Sequence, residues 1–199
     1  TFRDVNSLTG HDYRIYEGYD WQTGQQYVEV NNYTYESEGS AIGFSSTNPV
    51  NITNSHFINC SADYGGALYV KSPVNIIGSD FTECDAKYGG AIYFSNKTYD
   101  FTDHNSIFIE NTAEFNGGAI YMEEADDGKR IINVSTFIGN HANHDGGAYL
   151  YNNTIDKLFF DDYQWFNRTA MFSDGKLNYA QHNTQIIDSL FENEFCYYP

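Results

Sequence analysis

The sequence predicts an all-β fold: a parallel β-helix, or solenoid, of about six turns with 24 to 29 residues in each. Three observations carry this expectation. A glycine-alanine motif returns on a nearly fixed period, a second column of residues shares that period, and the composition is poor in helix formers and rich in turn and strand formers.

The motif reads GGALYV from Gly65, GGAIYF from Gly89, GGAIYM from Gly117 and GGAYLY from Gly146, with degenerate copies GSAIGF at Gly39 and GKLNYA at Gly175. Successive spacings are 26, 24, 28, 29 and 29 residues. Eight or nine residues upstream stand Phe57, Phe81, Phe108, Phe137 and Phe166, and three residues after these come Cys60, Cys84, Asn111, Asn140 and Thr169. Ala62, Ala86, Ala113 and Ala142 complete the register. One unit therefore runs F-x-x-[NC]-x-A, a tight turn, G-G-A-[IL]-Y, a loop of variable length, and an apolar-alternating piece such as VNIT, VNII or INVS.

A period of this length with two glycine- or asparagine-rich breaks per unit leaves no room for a ten-residue helical segment, so helical repeats are excluded. A propeller blade needs about 40 residues. A leucine-rich repeat needs a leucine frame that the chain lacks. What remains is a coil whose strands pair in parallel with the same strands one turn later, about 4.8 Å away. Like then stacks on like: Phe on Phe fills a narrow interior, and Asn on Asn can pass amide hydrogen bonds along the stack. Paired glycines mark corners that need a positive φ or close backbone approach. Residues 1–36 read as an N-terminal cap with an irregular first turn, and 37–199 as the β-helix domain. The whole is expected to form one structural domain of a longer parent protein.

Hydrophobic residues make up 41% of the 199 and aromatics 18%, enough for a substantial core. With 27 acidic against 10 basic residues the net charge is -17, which argues against nucleic acid and anionic membrane surfaces as partners. No apolar run is long enough for direct membrane insertion as a helix.

The F-x-x-N and GGAI motifs on this period resemble the repeats of chlamydial polymorphic outer-membrane proteins. Units reading close to F-x-N-N-x-A-x-x-G-G-A-I-Y are also similar to those of adhesin-like surface proteins of methanogenic archaea, and the opening TFRDVNSL resembles the segment that begins such domains. The resemblance spans about residues 37–195. It implies a right-handed β-helix of the pectin-lyase-like superfamily and a role in adhesion at the cell surface, anchored through other parts of the parent. Cys60, Cys84 and Thr169 depart from the usual Asn.

Candidate sites follow from the columns. Tyr69, Tyr93 and Tyr121 form either an exposed aromatic strip, if Leu68, Val70, Ile92, Phe94, Ile120 and Met122 point inward, or part of the core; exposed, they could contact sugar rings or a protein. Cys60 and Cys84 lie within disulfide range, although side chains pointing the same way suit a non-bonded ladder. Cys196 falls in the alanine column. Sequons begin at Asn32, Asn51, Asn59, Asn96, Asn133, Asn152 and Asn167, each a glycosylation candidate or a turn-forming Asn.

An enzyme of the same fold would need converging carboxylates. The candidates are Glu123, Glu124, Asp126 and Asp127 with Lys129 and Arg130, and Asp161 with Asp162; an acidic loop on so acidic a chain reads first as solvated. His141, His144 and Asp145 sit in a turn, and no metal or cofactor is expected. The sequence thus points to a non-enzymatic domain whose partner is a surface glycan or protein of another cell. A polysaccharide lyase or glycoside hydrolase, and a structural spacer, are the alternatives.

Overall fold

The computed structural model describes residues 1–3, 5, 10–20, 25–35, 38–39, 41–123, 127–144, 146, 149–152, 157–159, 171–173, 176–181, 184–192 and 195–196. Each coil presents up to four strand positions, a to d. In one coil these are Val74–Ile77, Asp80–Thr82, Asp85–Tyr88 and Ile92–Phe94. They pair in parallel with Phe101–His104, Ile107–Ile109, Thr112–Asn116 and Ile120–Met122 of the next coil. The parallel β-solenoid expected from the repeat is therefore the architecture found.

The number of coils differs from expectation. About four run uninterrupted, from Val50 to Asn152, rather than six. Partial rungs extend each end. Phe2–Arg3 pairs with His56–Ile58, and Ile42–Phe44 pairs with Leu68–Val70, while an antiparallel hairpin, Gly10–Asp20 with Gln25–Tyr35, lies between them in sequence. At the other end Thr184–Glu192 takes positions a and b, and Phe195–Cys196 takes position c.

The strand that follows Gly175, Lys176–Gln181, is not a coil rung. It folds back antiparallel on Met171–Ser173 and on Thr184–Glu192. Consequently Phe191, not Phe166, follows Phe137 in the aromatic column; Phe166 and Thr169 lie outside the described residues. Spacing alone could not separate the two candidates, because both offer a Phe downstream. The alternation in "TQII" decides, since it sets Ile186 beside Ile132 in the core column.

The interior is a set of stacks. Rings of Phe2, Phe57, Phe81, Phe108, Phe137 and Phe191 follow one another at 5.0, 4.9, 4.9, 4.6 and 4.6 Å, with interplanar angles of at most 6°. Two residues before each Phe from the second rung on stands a serine that the period also carried: Ser55, Ser79, Ser106, Ser135 and Ser189. The hydroxyls of Ser79, Ser106, Ser135 and Ser189 each accept the backbone N–H of the preceding rung's serine, at 3.1–3.3 Å. Beyond the Phe, Asn140 Oδ1 accepts from Asn111 N and Nδ2, Asn111 Oδ1 accepts from Cys84 N, and both amides donate to carbonyls of the Phe column. These ladders satisfy corner amides that no strand partner reaches.

Cys60 and Cys84 occupy adjacent rungs of this column as buried thiols not joined in a disulfide. Their sulfurs point to carbonyl oxygens, Cys60 Sγ at 3.6 Å from Ile58 O and Cys84 Sγ at 3.6 Å from Thr82 O. That common orientation gives the non-bonded ladder instead of a disulfide. The neighbouring Cys60 side chain and burial push the Cys84 thiol up.

The glycine pair divides its labour. The first member (Gly65, Gly89, Gly117) has φ of 61–70°, and the second has no room for a side chain. A Cβ on Gly90 would lie 2.0 Å from Gly118 O, and one on Gly66 would lie 2.2 Å from Gly90 O. Close rung-to-rung approach, as much as turning, requires the pair.

Two charged residues break the apolar columns. Arg130 stands below Phe101 and Val74 and is fully buried; its guanidinium donates to Tyr99 O and Asn96 O, both at 2.6 Å, and lies 4.5 Å over the Phe94 ring. Asp103 interrupts the column Ile52, Ile76, Ile132, Ile186. Ser135 Oγ donates to its Oδ2 at 2.5 Å, while Oδ1 has no partner, and burial pushes its pKa up to about 6.

Two predictions follow from these contacts. Gly90→Ala should cost about 1–3 kcal/mol or more from overpacking, whereas Gly139→Ala meets nothing closer than Glu110 Cγ at 3.6 Å and should cost only its left-handed strain, about 1 kcal/mol; urea unfolding of both variants measures the difference. For Asp103, the folded chain holds its proton up to pH about 6, against 3.8 for the ordinary carboxyl. Between those values the folded state binds more protons than the unfolded, so this group's contribution falls as pH rises, by on the order of 3 kcal/mol in all. Asp103→Asn should be more stable than the parent at pH 7 and lose that advantage by pH 4.

Candidate functional site

The face built from position d strands carries the tyrosine column. Alternation sends Leu68, Val70, Ile92, Phe94, Ile120 and Met122 fully inward. Tyr69, Tyr93 and Tyr121 therefore point away from the interior and stack at 5.5 and 5.0 Å. The column is three high: backbone pairing sets Gly43 beside Tyr69 at one end and Leu150 beside Tyr121 at the other.

Outward does not mean exposed. Tyr69 and Tyr93 keep only 7% and 8% of their surface, which corrects the expectation of an open aromatic strip if these tyrosines faced away from the core. A second aromatic column covers them: Tyr64, Tyr88 and Phe115, stacked at 5.6 and 5.1 Å, with His144 next at 5.7 Å from Phe115. Tyr64 meets the Tyr93 ring edge to face at 5.1 Å, and Tyr88 meets Tyr121 at 5.6 Å. This outer column was legible as the aromatic one or two residues before each glycine pair, but only the turn of the chain at position c swings it over the tyrosines. It is half-buried, and among the described residues it forms with Tyr121 the aromatic surface of this face.

The rim is polar. Tyr93 Oη donates to Glu123 Oε1 at 2.8 Å, and burial followed by that carboxylate raises the phenol's pKa. Lys87 pairs with Asp63 at 2.9 Å. Lys71 pairs with Glu38 at 3.2 Å and sets its ammonium 4.6 Å over the Tyr69 ring. Since Tyr93 occupies one face of that ring, the cation covers the face that Gly43 leaves bare.

Lys71 also opens onto a cleft of about 370 Å³ at the loop ends of position d. Ser45 and Thr47 form one wall; Ser95, Asn96 and Tyr99 form the other. Asn96 Oδ1 accepts from Thr98 N and Tyr99 N, both at 2.9 Å, which folds the loop into a tight turn.

The other predicted groups scatter. Asp127 and Lys129 are exposed; Glu123 is engaged by Tyr93; Arg130, expected in the acidic loop, is a core residue instead. Glu124, Asp126, Asp145, Asp161 and Asp162 lie outside the described residues. His141 Nε2 is 3.1 Å from Asn143 Oδ1, and burial lowers its pKa. Among the sequons, Asn51 and Asn59 are exposed, Asn59 at a corner with φ of 52°. Asn96 and Asn133 are half-buried. Asn32 and Asn152 sit on strands whose side chains are outside the described residues, as is Asn167. Register sets Cys196 beside Ala142. No helix among the described residues is long and apolar enough to cross a membrane.

Removing the outer column's centre tests whether it shields the inner one. Tyr88→Ala should cost about 2 kcal/mol through its lost ring contacts and expose Tyr93 and Tyr121, seen as faster deuterium exchange across Ile92–Phe94 and Ile120–Met122.

The family model for the Chlamydia polymorphic membrane protein repeat matches residues 105–123. That stretch spans positions b to d of one coil and contains Ser106, Phe108, Asn111, Ala113 and the Gly117–Gly118 corner, positions on which the stacks are built. No curated protein and no solved structure matches the chain. In this coil the chain is similar to the Chlamydia polymorphic membrane protein repeat, and its β-solenoid fits such a repeat.

Proposed function

We propose that this chain is a non-enzymatic domain of a cell-surface protein and binds a glycan or protein of another cell through the double aromatic face. The observation that carries the reading is the half-buried column of Tyr64, Tyr88 and Phe115, backed by a rigid second layer and rimmed by ion pairs. Pre-ordered aromatic surface of this kind loses little side-chain entropy on binding, and aromatics dominate binding hot spots.

Similarity to a repeat of polymorphic membrane proteins supports placing the parent at a surface, as adhesin-like proteins of methanogenic archaea are placed. Among the described residues, the exposed Asn51 and Asn59 are the sequons best presented for glycans. Two groups that an enzyme would recruit are committed elsewhere: Arg130 to backbone carbonyls inside the coil, and Glu123 to Tyr93. The net charge of -17 opposes nucleic acid and anionic lipid as partners.

Whole-cell pull-down and a glycan array with the purified chain test this. Tyr64→Ala with Tyr88→Ala should weaken capture at least about tenfold, the loss of more than 1.4 kcal/mol expected for hot-spot aromatics, while circular dichroism shows the β fold retained. A parent chain that captures neither cells nor any ligand would leave the spacer reading in its place.

A further inference from the structure

The geometry points to the Lys71 cleft as a site for a single carboxylated sugar unit of a glycan, an inference that rests on the binding role proposed above and names its ligand class. At about 370 Å³ and largely open to solvent, the cleft has room for one pyranose ring lying against it with its other face exposed. Its polar groups are of the kind that recognises a polyol. Among the described residues the hydroxyls of Ser45, Thr47 and Ser95 have no partner within the chain. The Asn96 amide is fixed through its oxygen, which leaves its two N–H donors for a ligand. Tyr99, half-buried, supplies an apolar surface for the carbon side of a sugar ring.

Charge selects the carboxylate. The chain has only 10 basic residues; one lines the cleft and a second lies buried behind its wall. Lys71 lines the cleft and keeps donors beyond its contact with Glu38. Beneath the opposite wall, the buried Arg130 guanidinium donates to the carbonyls of Asn96 and Tyr99, holding that loop rigid and placing positive charge under it. A net charge of -17 repels a polyanion at longer range. One isolated carboxylate, as on a terminal nonulosonic acid, gains the local attraction and meets the least of that repulsion, whereas a polyuronate meets it at every residue.

Calorimetric or saturation-transfer titration of the full chain with sialyllactose, trigalacturonate and lactose tests the site. Sialyllactose should bind at least about tenfold more tightly than lactose, as a charge-assisted hydrogen bond implies. Lys71→Met should erase that preference, and Thr47→Trp, which leaves the contacts of Lys71 intact, should block the cleft and abolish binding of both. Binding of trigalacturonate but not sialyllactose would overturn the choice of an isolated carboxylate over a uronate chain. Equal binding of sialyllactose and lactose, no binding of either acid, or a preference unchanged in Lys71→Met overturns the inference. If both variants still capture cells as the parent does, the cleft inference fails while the aromatic-face reading stands; a parent chain that captures neither cells nor saccharides defeats both.

Discussion

A backbone that rises one strand spacing per turn sets every side chain on the one a repeat earlier, and the rest of this molecule depends on that alignment. At a pitch near 4.8 Å, a Phe can only follow a Phe in a channel of fixed width, and here the rings follow one another at 4.6–5.0 Å. The same pitch lets a serine or asparagine oxygen reach the N–H of the adjacent rung. Hydrophobic burial and corner hydrogen bonding are thus satisfied by one geometric condition. A chain out of register by one residue would lose both.

The corners bear the conformational cost. Besides the glycines, Asn54, Asn105, Val134 and Asp188 share one left-handed corner column with Gly78, and Asn59, Glu83 and Glu110 share another with Gly139. Asn and Asp tolerate this conformation; Val134 does so at a strain of roughly 1–2 kcal/mol. That such residues persist shows that stacking on both sides determines the backbone more strongly than local preference. The hairpin at 10–35 and the antiparallel strands at 171–181 show the converse. Where the chain has no stacking partner in phase, it leaves the coil and pairs with itself.

Function, in this view, rests on what the coil does not need. The interior accounts for the Phe, Ser, Asn, Ala and Gly columns. The double aromatic face and the hydroxyl-lined cleft beside it lie outside that requirement, joined by Lys71, which caps the tyrosine stack and opens onto the cleft. Surface aromatics backed by a rigid sheet combine hydrophobic area with low entropy loss, which suits the binding role proposed above.

The sequence by itself determined the repeat, the solenoid and the shared column of Tyr69, Tyr93 and Tyr121, because each is a property of period; alternation alone left open which face of that strand points inward. The serine ladder was equally legible as S-x-F. Tertiary structure alone decided the rest. Which of two downstream phenylalanines continues the stack depends on a chain that leaves the coil and returns, and no spacing records that. Arg130 and Asp103 look like solvated charges in sequence, and only their column neighbours make them core. The outer aromatic column covers Tyr69 and Tyr93 because a turn of the backbone swings position c across position d. Periodicity reports which residues share a column; only the folded chain decides which column lies over another.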